Sequence, residues 1–188
     1  MSTFNFFIDR AESYSVAGKS NELIFCTRKG RSETASSMNN ERIALLQDNT
    51  SITNADLVTN ITTNISYLVV GRESSNEANH AQLRKINATG VIVRIIAKYV
   101  NGTKVGDQEQ SLFSNVPLSE ATVSGNAKLY DAGILQNTVK KFIMQNLEIK
   151  LLDRIKVNGN NYQIDAVDNT KYEGLLEVQC SIDNRKTV

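Results

Sequence analysis

Apolar and polar residues alternate with a period of two through much of the C-terminal half of the chain, which predicts strands with one buried face. Val91, Val93, Ile95, Ala97 and Tyr99 form one such face, with Arg94 and Lys98 on the other. Asn101-Gly102 follows, a dipeptide suited to a two-residue type I′ hairpin because both positions need positive φ. The returning segment, Thr103 to Ser111, is almost wholly polar, so a strand there would pair at an edge or project from the body. Pro117 and Gly125 punctuate the next connection. A second β-prone run covers Val139 to Leu151, where Leu147, Ile149 and Leu151 alternate with Glu148 and Lys150. Asp153 to Val157 then meets Asn158-Gly159, a second hairpin signal, and Tyr162 to Val167 returns. Leu176, Val178, Cys180 and Ile182 alternate with Glu177, Gln179, Ser181 and Asp183, as expected of a half-buried strand.

The N-terminal part has weaker periodicity. Leu23 to Thr27 predicts a strand, Ser32 to Asn40 a loop, and Glu41 to Gln47 a short helix or strand. Between Thr59 and Val70 two templates compete. Leu57, Val58, Ile61, Ile65 and Leu68 fit a helical stripe, with Thr53 and Asp56 as a capping box. Ile61, Thr63, Ile65, Tyr67 and Val69 fit strand alternation, and their residue types favour a strand. Gly71 to Lys85 is charged and Asn-rich and predicts a loop or short helix. No internal repeat is visible. The expected fold is mostly β: a small antiparallel β-barrel or sandwich over residues 88–188, a long polar N-terminal extension over 1–87 (peripheral strands or an arm), and a projecting hairpin.

Composition narrows the function classes. The 188 residues include 21 Lys plus Arg and 20 Asp plus Glu, a net charge of +1, which lacks the basic excess of a polyelectrolyte binder. A 40% hydrophobic content is enough for a folded core. Two cysteines, at 26 and 180, and the single His80 exclude a disulfide scaffold and a Cys/His metal site. No apolar run approaches ~18 residues, and the first residues lack a basic region before their apolar stretch. The expectation is an intracellular protein with reduced thiols and no membrane partner.

Candidate chemistry is sparse. Gly18-Lys19-Ser20 ends like a phosphate loop, but Ser13 stands where the motif needs its first glycine, so an exposed turn is expected. Arg28, Lys29 and Arg31 form a small basic cluster that reads as a solvated loop. His80 sits in a polar stretch without an evident nucleophile or orienting acid. Cys26 and Cys180 lie in apolar runs and read as core thiols. Asp165, Asp168, Glu173 and Glu177 cluster around the last hairpin, with Asp165 and Glu177 expected on solvent faces. No constellation amounts to an active site, and no cofactor or metal is called for. Tyr99 with Arg94 and Lys98 is the one local candidate for a small β-barrel module that binds single-stranded nucleic acid.

The C-terminal block carries a resemblance. Leu151-Leu152-Asp153-Arg154-Ile155, Asn158-Gly159, Tyr162-Gln163-Ile164 and Leu176-Glu177-Val178-Gln179-Cys180 follow one another in the progression "Gly-Asp-Arg-Ile … Asn-Gly … Tyr-Glu-Ile … Leu-Glu-Leu-x-Cys". Over residues 138–183 the chain resembles the head–tail joining, or head closure, proteins of tailed bacteriophages, with Leu152 where that family often has Gly. The resemblance implies a non-enzymatic virion protein of the phage neck, made in the host cytoplasm. It implies a ring of its own copies, six or twelve, between portal or adaptor proteins and the tail terminator or tail tube, touching packaged DNA at most transiently. A tail terminator or another connector-ring protein is the alternative within this class. The resemblance also implies a lumen-facing role for the hairpin residues Asn101, Gly102, Thr103, Lys104, Asp107 and Gln108.

Overall fold

The computed structural model describes residues 3–28, 40–75 and 78–186. A 3₁₀ helix, η1 (Thr3–Arg10), leads into β1 (Glu12–Val16), β2 (Glu22–Arg28), β3 (Glu41–Leu46), β4 (Leu57–Asn60), β5 (Ser66–Ser74) and β6 (Asn79–Lys85). There follow β7 (Ala88–Val100), β8 (Thr103–Thr122), a short helix α1 (Gly125–Tyr130), β9 (Lys140–Gln145), β10 (Arg154–Val157), β11 (Asn160–Asp168) and β12 (Leu175–Ile182). The chain divides into two compact units. One runs up to Ile86 and includes Tyr172–Leu175, and the other takes the rest from Asn87 onward.

The protein is mostly β and antiparallel, as the alternation predicts. The first six strands close into a barrel in the order β1-β2-β3-β6-β5-β4. Its core holds Tyr14, Val16, Ile24, Leu46, Val58, Tyr67, Val69 and Leu83. The second six close in the order β10-β11-β12-β9-β8-β7 around Ile92, Leu118, Phe142, Met144, Ile155, Ile164, Val178 and Cys180. Residues expected as an extension of peripheral strands thus build a barrel with its own core. Closure removes the sheet edges that a polar N-terminal region would otherwise have to protect.

Several local expectations are corrected. The single strand expected across Thr59 to Val70 is a hairpin, β4–β5. Asn60 breaks it by accepting the backbone N–H groups of Thr62 and Thr63 on Oδ1 at 3.0 and 2.8 Å, and Asn64 takes a positive φ of 55°. Thr53 and Asp56 make the capping-box contact, Thr53 N to Asp56 Oδ2 at 2.6 Å, but around a turn and not a helix. Gly71 to Lys85 is largely strand, the end of β5 and all of β6. In β7 the core takes Ala88 and Ile92, the face opposite to the one expected, and Val93 is buried as well. β7 keeps a regular register with β10 from Gly90 to Val93, so Ala88, Gly90 and Ile92 share the core face, and the register shifts around Ile92 place their extra residues in β8. The alternating Leu147 to Leu151 forms no strand. It is the irregular lead-in to β10, with Leu147 and Ile149 packed on the core and Leu151 exposed. Ser32 to Asn39 lie outside the described residues.

The two hairpin dipeptides fold as expected. Asn101 and Gly102 have φ of 51° and 82°, Asn158 and Gly159 of 50° and 76°, and each pair joins directly opposed residues. Leu152 has φ +69°, a conformation that costs an L-residue roughly 1–2 kcal/mol and glycine almost nothing. Leu152→Gly, at an exposed site, is expected to raise stability by up to about 1 kcal/mol after glycine's entropic penalty. A fall in the urea midpoint would contradict that account.

The two barrels share one connectivity. In each, the first three strands form a meander, the last three form another, the third pairs with the sixth, and the first pairs with the fourth. The correspondence extends to single residues. Ala55, at φ +65°, precedes Asp56 at the start of β4 as Leu152 precedes Asp153 at the start of β10. Ala55 N donates to Val69 O and Val69 N to Asp56 O, as Leu152 N donates to Ile164 O and Ile164 N to Asp153 O. Each aspartate accepts the N–H three residues upstream, Thr53 at 2.6 Å and Lys150 at 2.8 Å. Each holds a cation: Lys19 at 2.6 Å on Asp56, Arg94 at 2.8 Å on Asp153. A bulge follows Val69 in β5 and Ile164 in β11, and Val58 pairs with Tyr67 as Ile155 pairs with Tyr162.

Candidate functional site

The feature of the second barrel most unlike a plain barrel is the β7–β8 hairpin. β10 pairs with β7 only from Gly90 to Val93, and β9 pairs with β8 only from Ser119 to Thr122. Beyond those points the two strands pair with each other alone, from Arg94 opposite Gln110 to Val100 opposite Thr103. The result is a projecting two-stranded ribbon roughly 25 Å long, at about 3.3 Å per residue. The polar composition of Thr103 to Ser111 follows, since neither face of that segment has a core to cover it.

Ion pairs fix the base of the ribbon. Arg94 Nε and Nη2 both donate to Asp153, each at 2.8 Å. Glu109 accepts from Arg154 Nη1 at 2.6 Å and also pairs with Lys156. Arg154 is almost fully buried. Its Nε donates to Asp183 Oδ2 at 2.7 Å and its Nη2 to the Arg185 carbonyl at 2.7 Å. Asp183 in turn accepts from Arg185 Nη2 at 2.6 Å. The electrostatics follow the contacts. The Lys156 hydrogen bond lowers the pKa of Glu109 against the opposing effect of burial, with Arg154 assisting. Burial would raise the carboxyl of Asp183, but the hydrogen bonds from Arg185 and Arg154 outweigh it and hold the group well below the usual carboxylate range. Asp153-Arg154, the centre of the resemblance, thus anchors both ribbon strands to β10.

The six hairpin residues singled out from sequence all lie on the ribbon. Asn101, Gly102, Thr103 and Lys104 are exposed at the tip, and Asp107 and Gln108 are half-buried lower down. Lys104 pairs with Asp107 at 2.8 Å, a contact that raises the lysine pKa. Tyr99, Val100 and Val105 are exposed apolar side chains near the tip, at 63%, 49% and 50%. Sequence reading missed Val105, whose position at a bulge opposite Lys98 and Tyr99 is set by pairing register and not by periodicity.

The remaining candidates do not converge. Lys19 of the Gly18-Lys19-Ser20 turn binds Asp56, the Ser51 carbonyl at 2.8 Å and Thr53 Oγ1 at 3.2 Å, a structural clasp. Lys29 and Arg31 lie outside the described residues, and Arg28 ends β2. His80 is exposed on β6, opposite Leu45 and Glu73. Cys180 is buried, and burial pushes its thiol well up. Burial also raises the Cys26 pKa, against the hydrogen bond it accepts from Tyr14 Oη at 3.3 Å. The carboxylates around the last hairpin do not converge on one site. Asp165 meets Gln163 and Asn137, Asp168 accepts from Thr170, and Glu173 accepts from Asn54. Glu177 is not on a solvent face. It is buried between Lys141 at 3.1 Å and Lys171 at 2.6 Å. Burial raises its pKa, but the hydrogen bonds from Lys171 and Lys141 prevail and the net shift is downward.

No protein-family model, curated protein or solved structure matches the chain. The reading of the site therefore stands on geometry. Among the described residues no group of three or more His, Cys, Asp or Glu side chains could hold a metal ion. No helix among them is long and apolar enough to cross a membrane. The nucleic-acid constellation loses a member, since both donating nitrogens of Arg94 that face Asp153 are engaged. What remains is a rigidly based, near-neutral ribbon with an apolar-tipped end, suited to contact another protein surface.

Proposed function

We propose that this chain is a structural protein of the tailed-phage neck, a head closure or head–tail connector subunit. It forms a ring of its own copies that joins the portal side of the capsid to the tail and helps retain packaged DNA. The observation that carries this reading is the ribbon standing on Asp153-Arg154. The residues that give the resemblance are the same ones that brace a projecting arm on a closed barrel. A closed barrel contributes few adaptable surfaces of its own, so the ribbon and its exposed Tyr99, Val100 and Val105 supply the assembly contact. Asn101 to Lys104 at the tip would face the channel in such a ring. Near-neutral charge suits a protein stacked between other protein rings and touching DNA only in passing.

The test is genetic. A phage lacking this protein is expected to accumulate DNA-filled heads that leak their genome and free tails that do not join. Joined, infectious particles made without it would refute the proposal.

A further inference from the structure

The shared connectivity gives the second barrel an internal control. The pairings of β1 with β4 and of β7 with β10 make Val16 the counterpart of Ile92, since they oppose Val58 and Ile155. The pairings of β1 with β2 and of β7 with β8 make Glu22 the counterpart of Val116, since they oppose Tyr14 and Gly90. Between these points the first barrel turns in five residues, Ala17 to Asn21, and the second uses 23, Val93 to Asn115. Two other hairpins shared by the barrels differ little in length, β4–β5 against β10–β11 by two residues between Val58–Tyr67 and Ile155–Tyr162, and β5–β6 against β11–β12 by two between Val69–Leu83 and Ile164–Cys180. The whole ribbon therefore falls in one interval, where the first barrel shows that the fold closes without it.

We infer that the two barrels are copies of one unit, that residues 93–115 are an arm added to the second copy, and that the arm binds a second copy of this chain. The choice of partner rests on the ring reading above and on three features of the arm. Its two strands pair with no other strand among the described residues past Val93 and before Ser119, so their outer backbone edges can add a strand from a neighbour. Its exposed apolar residues lie together near the tip, as Tyr99 opposes Lys104 and Val100 opposes Thr103, with Val105 next along. Near its tip lie three charges, Lys98, Lys104 and Asp107, of which the last two pair, leaving no cluster of cations. A nearly neutral arm tip meets a copy of itself without like-charge repulsion, whereas a nucleic-acid arm would carry a cluster of unpaired cations.

The sequence of the first barrel supplies the test. In a graft variant, Val93–Asn115 is replaced by Ala-Gly-Lys-Ser-Asn, the sequence of Ala17–Asn21. The grafted lysine corresponds to Lys19, which clasps Asp56, and so offers Asp153 a cation in place of Arg94. Arg154 keeps Asp183 and the Arg185 carbonyl. The full chain, the graft variant and a tip variant (Tyr99→Glu with Val105→Glu) are compared by thermal unfolding and sedimentation over a range of concentrations. The graft is expected to unfold cooperatively and to sediment as a single chain where the wild type associates. The tip variant is expected to fold normally and to associate at least tenfold more weakly. A graft that folds but associates like the wild type overturns the inference and leaves the ring reading intact. A graft that fails to fold overturns the claim that the arm was added, and unchanged association of the tip variant overturns the choice of partner. Loss of oligonucleotide retention with association unchanged would assign the arm to nucleic acid and also overturn that choice. A wild type that stays a single chain at every concentration and with neck components refutes the ring reading, whatever the graft does.

Discussion

Arg154→Ala is expected to be the most damaging single substitution in the second barrel, costing about 3–5 kcal/mol. Arg154 is 1% exposed and donates to Asp183, Glu109 and the Arg185 carbonyl. Its removal leaves Asp183, itself 1% exposed at the side chain, with Arg185 alone. A buried carboxylate stripped of one of two cations keeps most of its desolvation penalty and loses much of its compensation. Domain stabilities of about 5–15 kcal/mol make a loss of that size severe. Arg154→Lys keeps a charge but cannot serve three acceptors in a fork geometry, so it is expected to fall between the wild type and the alanine variant. Urea denaturation of the three proteins gives the comparison. A loss under about 1 kcal/mol for the alanine variant would show that the network does not brace the barrel.

Asp153→Ala and Asp56→Ala test the clasp that the two barrels share. Asp153 is buried, accepts the Lys150 N–H at 2.8 Å and takes both donors from Arg94. Each charged hydrogen bond is worth about 1.5–3 kcal/mol, and Arg94 can turn partly to water once released, so the expected cost is about 3 kcal/mol. Asp56 is less buried than Asp153 and holds the flexible Lys19, so its loss, which also leaves the Thr53 N–H without its acceptor, is expected to cost about 1–2 kcal/mol. Amide exchange locates the effect. Asp153→Ala should speed exchange in β10 and along the ribbon and leave β4 and β5 unchanged, and Asp56→Ala should do the reverse. Equal loosening of both barrels by either variant would mean that the clasps are not local to their units.

The contrast between the clasp and its partners explains what could be read from sequence. Hairpin signals such as Asn101-Gly102 and Asn158-Gly159 are local. The dipeptide itself meets the positive φ that the turn demands, so sequence suffices. The β4–β5 hairpin turns on Asn60 Oδ1 accepting two backbone N–H groups, a use of asparagine that competes with strand and helix and leaves no periodic trace. β7 turns Ala88 and Ile92 to the core although Val91, Val93 and Ile95 alternate on its other face, a choice between two apolar faces that tertiary packing makes and alternation does not encode. Glu177 looked solvent-facing because the two lysines that neutralise it come from Lys141 and Lys171, on other elements. The duplication is hidden for a related reason. It survives in backbone devices, the positive-φ residue before aspartate and the bulge after Val69 or Ile164, while the side chains around them have diverged, with Tyr67 and Tyr162 among the few still shared. Of the candidate site, sequence showed the tip and its polar return strand. It did not show the ion-paired base, because Asp153 and Arg154 act across 59 and 45 positions, on Arg94 and Glu109.

Assembly of this chain with copies of itself underlies the proposed function. Native mass spectrometry of the full chain, at rising concentration and with and without neck components of the virion, tests it directly. The expected result is a discrete ring-sized multiple of the 20.8 kDa chain, formed alone or on adding those components. A species of one chain mass under every condition, retaining an oligonucleotide at low salt, would contradict the account.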